Sequence, residues 1–156
     1  MTRCWAKRGT RPRAPRDRRY DWAYIFGATC PARAATAAIV APAANAEVMS
    51  LHLAEIARQV APGAHAILVL DGAGYHGAKN LTVPKNVTLV ALPPYAPELN
   101  PIENVWAYLR GNKLAITVFD SYDDIVEKTC DAWMFFATDK GRVTSITARS
   151  WATVNP

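Results

Sequence analysis

The apolar run Ala66-Ile67-Leu68-Val69-Leu70 stops at a carboxylate, Asp71. Pro62-Gly63 precedes the run, and Gly72 and Gly74 follow it. A short unbroken apolar run with such punctuation predicts a strand buried on both faces of a sheet. A strand of that kind needs helices on both sides, which constrains the chain to an α/β architecture. In open α/β sheets, ligand sites lie beyond the carboxyl ends of the strands. Asp71 therefore stands where a ligand could be held, or it merely caps the turn that follows.

The flanking segments fit this frame. Trp22 to Cys30 is rich in aromatic and apolar residues and reads as a strand. Pro31 to Ala35 reads as a turn and Thr36 to Ala41 as a second strand, so the pair predicts a hairpin. Val48, Leu51, Ala54, Ile56 and Val60 recur at helical spacing, which predicts a helix over 47–60. Val87 to Leu92 reads as a further strand. A stiff connector with four prolines, Pro93 to Pro101, leads into a helix from Pro101 to about Lys113. A last helix is expected from about Tyr122 to Phe136, and the stretch from Asp139 shows no period. The expected organisation is a basic arm over 1–19, one α/β body over 20–150 and a tail over 151–156.

Charge is unevenly placed. The chain carries +5, yet residues 1–20 hold eight basic side chains and one acid, so the arm is +7 and the remainder −2. The arm residues are Arg3, Lys7, Arg8, Arg11, Arg13, Arg16, Arg18 and Arg19. A basic arm on a near-neutral body is an electrostatic footprint of nucleic-acid contact, and also what a solvated terminus looks like. At 51% hydrophobic and 20% charged, the composition excludes a disordered chain. Cys4, Cys30 and Cys130 are odd in number and far apart, which points to reduced thiols and a cytoplasmic protein. No apolar run reaches the roughly 18 residues needed to cross a bilayer, so no membrane partner is expected.

Asp71 has a second carboxylate to work with. Glu103 falls within Asn100-Pro101-Ile102-Glu103, where Asn at N-cap, Pro at N1 and Glu at N3 spell a capping box. A carboxylate on the first turn of a helix also points back past the helix start. There it can face Asp71 and share a divalent metal. Arg110 and Lys113 follow on the same helix and could meet a phosphate backbone, though a solvated Arg110 fits the spacing equally well, while Val105, Trp106 and Leu109 pack inward. His76, five residues after Asp71, could orient a water or phosphate, or be plain polar surface. No G-x-x-x-x-G-K-[ST] accompanies Asp71, which excludes a phosphate-loop NTPase. Gly72-Ala73-Gly74 lacks the third glycine of a dinucleotide fingerprint.

Two blocks carry a resemblance. One is the strand followed by D-x-A-x-x-H at Asp71, Ala73 and His76. The other is L-P-P-Y-x-P-E-L-N-P-I-E-N-x-W over Leu92 to Trp106. Together they resemble the core of a DDE transposase of the mariner-type superfamily and its bacterial insertion-sequence relatives, also named DDE superfamily endonucleases. Trp5-Ala6-Lys7-Arg8-Gly9, Arg19-Tyr20-Asp21-Trp22, Gly27-Ala28 and Cys130-Asp131-Ala132-Trp133 extend the likeness over nearly the whole chain.

The resemblance implies a ribonuclease-H-like mixed sheet flanked by helices, and metal-dependent cleavage and strand transfer of DNA at transposon ends. It implies a two-metal site holding Mg²⁺ or Mn²⁺, with Asp71 and Glu103 as the second and third acids and His76 and Asn100 as auxiliary groups. It also implies a bacterial cytoplasmic protein.

The family's first acid sits on a first strand that would precede Thr2, so a sheet lacking that strand is expected. The missing acid then comes from an upstream-encoded half or from a second transposase chain. The alternative is a non-catalytic remnant that binds DNA without cutting it. A weaker reading is a structure-specific nuclease on the same fold.

Overall fold

The computed structural model describes residues 7–10, 21–94, 96–115 and 117–152. Strands β1 (Tyr24–Cys30) and β2 (Ala35–Ala41) form the expected hairpin, antiparallel, with Gly27 opposite Ala38. Its turn is one 3₁₀ turn, Pro31–Arg33, closed by the Ala34 N–H donating to the Pro31 carbonyl. Helix α1 (Ala46–Gln59) follows. The Asn45 side chain caps it by accepting from the Val48 N–H at 2.9 Å. Strands β3 (Ala66–Leu70) and β4 (Val87–Ala91) pair in parallel, with Leu70 opposite Ala91. Three helices close the described chain: α2 (Ile102–Asn112), α3 (Tyr122–Ala137) and α4 (Lys140–Thr147).

The α/β class is as expected, a mixed fold of small antiparallel and parallel sheets flanked by helices. The single sheet is not. Among the described residues β1–β2 and β3–β4 are separate two-stranded sheets with no ladder between them.

Two clusters form the core. Phe26 from the hairpin joins Met49 and Leu53 of α1, Leu70 of β3 and Val87 of β4. On the other side Val105, Leu109, Ala132, Trp133, Phe136 and Val143 bring together α2, α3 and α4, with Ile25 and Ala38 of the hairpin packed against them. The hairpin therefore has helices on both faces.

Strand β3 does not, contrary to expectation. Ala66, Leu68 and Leu70 face the α1 cluster, but Ile67 is 70% exposed and Val90 of β4 44% exposed. The helices that would cover this face pack on the hairpin instead.

Gly27 shows why they pack there. A Cβ at this position would lie 2.8 Å from ring atoms of both Trp106 and Trp133. Gly27 and its partner Ala38 thus form a small-residue floor for two indoles whose centroids are 6.0 Å apart. Neither ring is a flexible chain end, so Gly27→Ala is expected to destabilise the protein by about 1–3 kcal/mol. A urea unfolding midpoint equal to that of the parent would contradict this.

His52 is buried beside Phe26, at 6.1 Å between ring centroids, and its Nδ1 has no hydrogen-bond partner. Burial pushes its pKa down from 6.5 to about 4, against a smaller opposing pull from the Glu55 carboxylate. Above pH 6.5 the imidazole is neutral in both folded and unfolded chains. Between pH 6.5 and 4 the unfolded chain binds a proton that the folded chain refuses, so stability falls as pH falls. The expected loss by pH 4 is about 3 kcal/mol. His52→Leu should flatten that part of the stability curve, and an unchanged pH dependence would refute the assignment.

Candidate functional site

Asp71 follows β3 directly, at its carboxyl end. Its Oδ1 accepts from the Ala73 N–H at 3.1 Å, an Asx-type turn that bends the chain away from the sheet. The 3₁₀ turn Gly74–Gly77 then brings His76 back. Nδ1 of His76 lies 2.8 Å from the Asp71 carbonyl oxygen and 3.1 Å from Asp71 Oδ1. A carbonyl can only accept, so Nδ1 carries the hydrogen, and in the neutral ring Nε2 keeps its lone pair. The His76 side chain is only 13% exposed whereas that of Asp71 is 58% exposed. The imidazole is thus a fixed support and the carboxylate is open to a ligand.

Tyr75 was not foreseen. Its ring meets His76 edge-on at 4.6 Å and Phe26 at 5.7 Å, tying the turn to the hairpin. Burial, and then the Asp71 charge, push its hydroxyl pKa up, so it stays protonated. The available signal was a lone aromatic between Gly74 and Gly77, where a ring is out of place unless it anchors the turn.

Glu103 lies in the first turn of α2, exposed, as expected. The capping box does not form as the sequence spelled it. Pro101 is already in the right-handed helical region and makes no side-chain cap. Asn100 does the capping, its Oδ1 accepting from the Ile102 N–H at 3.2 Å and its carbonyl from the Glu103 N–H at 3.2 Å. The Asn half of the box is therefore present and the Glu half is not: the Glu103 carboxylate makes no hydrogen bond or ion pair among the described residues. Val105 and Leu109 are buried and Trp106 packs against them, as read from spacing.

The structure brings Asp71 and His76 together. It does not gather Asp71, His76 and Glu103 into a cage. No group of three His, Cys, Asp or Glu side chains among the described residues is placed to hold a metal ion. The donors that are present have the right chemistry, since exposed carboxylate oxygens are hard ligands of the kind Mg²⁺ takes. They are two where a closed set needs more.

Of the basic residues singled out, Lys7, Arg8, Arg110 and Lys113 are exposed. Arg3, Arg11, Arg13, Arg16, Arg18 and Arg19 lie outside the described residues. Cys30 and Cys130 are free and exposed. No helix among the described residues is long and apolar enough to cross a membrane.

Helix-flanked small sheets with an acid at a strand's carboxyl end fit a ribonuclease-H-like DDE fold. The model of the DDE superfamily endonuclease family matches residues 1–126, and the chain belongs to that family. It is also 50% identical over 131 residues to a protein of Sinorhizobium fredii named "Uncharacterized protein y4pE/y4sA", a match covering 84% of this chain and 97% of that one. No solved structure matches significantly. Membership of this family implies a DNA substrate, and its members generally use divalent metals.

Proposed function

We propose that the chain is the C-terminal part of a transposase catalytic domain, of the mariner and insertion-sequence type, that cleaves and joins DNA strands at transposon ends. The carrying observation is that two exposed carboxylates stand at element ends, Asp71 after β3 and Glu103 in the first turn of α2, the latter with no hydrogen bond or ion pair among the described residues. A capping glutamate would spend its oxygens on the helix start; this one leaves them free.

Asp71 and Glu103 would hold Mg²⁺ or Mn²⁺. When bound, a pair of such ions supplies activation of the attacking water or 3′-hydroxyl and stabilisation of the leaving oxygen. His76 fixes Asp71 by donating to its carbonyl, so that the carboxylate does not swing with the loop. Asn100 sets the start of α2 and with it the position of Glu103. The basic arm and the exposed Arg110 face supply phosphate contacts.

The remaining carboxylate of the site would come from a further strand; β1 and β3 each pair with one neighbour only among the described residues, so each has an edge such a strand could join. An upstream-encoded half or a second transposase chain would bring that strand. The second reading is a remnant that binds DNA without cutting it, and it is favoured for the chain acting alone by the lack, among the described residues, of any three side chains placed to hold a metal ion.

The two separate in one assay. The chain alone and the chain joined to the polypeptide encoded upstream are each given supercoiled plasmid with Mg²⁺ or Mn²⁺. Nicking by the joined protein only supports the catalytic reading. Salt-sensitive binding with no nicking by either leaves the remnant.

A further inference from the structure

Phe135 on α3 gathers two cations. Lys113 Nζ lies 4.3 Å from its ring centre and the Arg142 guanidinium carbon 4.2 Å from it. Tyr108 of α2 stacks on the same ring, the planes only 6° apart and the centroids 6.1 Å apart. Arg142 is held in place from two further directions. Its Nη2 pairs with Asp139 Oδ2 at 3.0 Å, and its Nη1 donates to the Phe135 carbonyl. Lys113 is exposed and pairs with no carboxylate among the described residues. Among the described residues one carboxylate, Asp139, thus pairs with one of the two cations that share the ring, and Arg110 stands exposed one turn before Lys113.

Two like charges held about equally close to one ring centre raise the positive potential there, and an anion that contacts both would lower it. We propose that Lys113 and Arg142, mounted on Phe135, form a clamp for a phosphate of the DNA backbone, separate from the Asp71 and Glu103 site. The proposal rests on the DNA-cleaving reading for the identity of its polyanion. The clamp lies at the opposite end of α2 from Glu103, about 15 Å along the helix axis. It would hold duplex flanking the point of cleavage. Phe135 is half-buried and its ring already engaged by two cations and Tyr108, so the contact is by charge and not by stacking of a base. Arg142 lies in the part of the sequence that shows no period, and only the structure brings it to the ring that Lys113 also meets.

The test is binding of the full chain to a short mixed-sequence DNA duplex over a range of NaCl concentrations, comparing wild type with Lys113→Gln and Arg142→Gln. Each lost phosphate contact should lower the slope of log K against log salt by about 0.9, and weaken binding roughly eightfold at about 0.1 M salt. Arg142→Gln also removes an ion pair, so its thermal unfolding is followed alongside. Lys113 is exposed, and its replacement leaves the fold intact. Wild-type binding with an unchanged slope in Lys113→Gln overturns the clamp alone. A wild type that binds no duplex overturns the clamp and the DNA reading together. Equal weakening toward the duplex and toward inorganic phosphate, with the slope unchanged, marks a free-anion site and also overturns it.

Discussion

Asp71→Asn is expected to reduce metal-dependent strand cleavage by the joined protein about a thousandfold or more. Asparagine keeps the shape of the side chain, and its Oδ1 can still accept from the Ala73 N–H, so the turn that presents it survives. What is lost is one negative charge and one hard ligand. A metal ion's charge stabilisation of a phosphoryl transition state amounts to several kcal/mol, and each 1.36 kcal/mol is tenfold in rate. Glu103→Gln should match it, because that carboxylate has no structural bond to lose. DNA binding without metal should be unchanged in both. Glu127→Gln, which replaces another exposed acid on α3, serves as the control. Cleavage that persists in both Asp71→Asn and Glu103→Gln would sink the assignment of the site.

Phe136→Ala should cost about 3–5 kcal/mol of stability, as large aromatic truncations in cores do. Phe136 is fully buried where α2, α3 and α4 converge. Its ring meets Trp133 edge-on at 5.5 Å and Tyr108 at 6.4 Å. Val105, Leu109 and Val143 complete the cluster and cannot collapse into the space without moving a helix. A domain of this size has only about 5–15 kcal/mol in hand, so the variant should be largely unfolded at moderate urea. Met134→Ala, two residues away and 55% exposed, should shift the urea midpoint very little. A Phe136→Ala midpoint close to that of Met134→Ala would contradict the packing described.

Strong periodicity made most elements legible. The hairpin, α1, β3, β4, α2 and α3 fall within a residue or two of their sequence limits, because each pairs a clear apolar pattern with a terminator such as Pro62-Gly63. Helix α4 was not legible. Gly141, Thr144, Ser145 and Thr147 are poor helix formers, and Val143 and Thr147 are held by burial against neighbours the sequence does not show. The Asp139 cap, accepting from the Arg142 N–H at 2.9 Å, was the one local signal for it. The apolar run of β3 suggested burial on both faces, and Ile67 shows that composition alone cannot say which face is covered.

At the site, Asp71 and His76 were legible together because five residues of turn suffice to bring them into contact. Glu103 was legible as a position but not as a free carboxylate. That depended on the geometry of the helix start, where Asn100 alone supplies the side-chain cap and the Glu103 side chain is not drawn back to it among the described residues.

The two acids ride on parts of unequal firmness. Glu103 stands on α2, locked to α3 and α4 over the Gly27 floor. Asp71 stands on a sheet covered on one face only and not bonded to the hairpin. Such a sheet belongs to the low end of local opening energies, and its amides exchange before those of the hairpin. The spacing between the acids is then set by side-chain packing through Phe26, Tyr75 and Leu70 and not by a continuous backbone ladder. A strand that bonded to both sheets would act as a splint, joining by backbone what the described chain holds together only through its core.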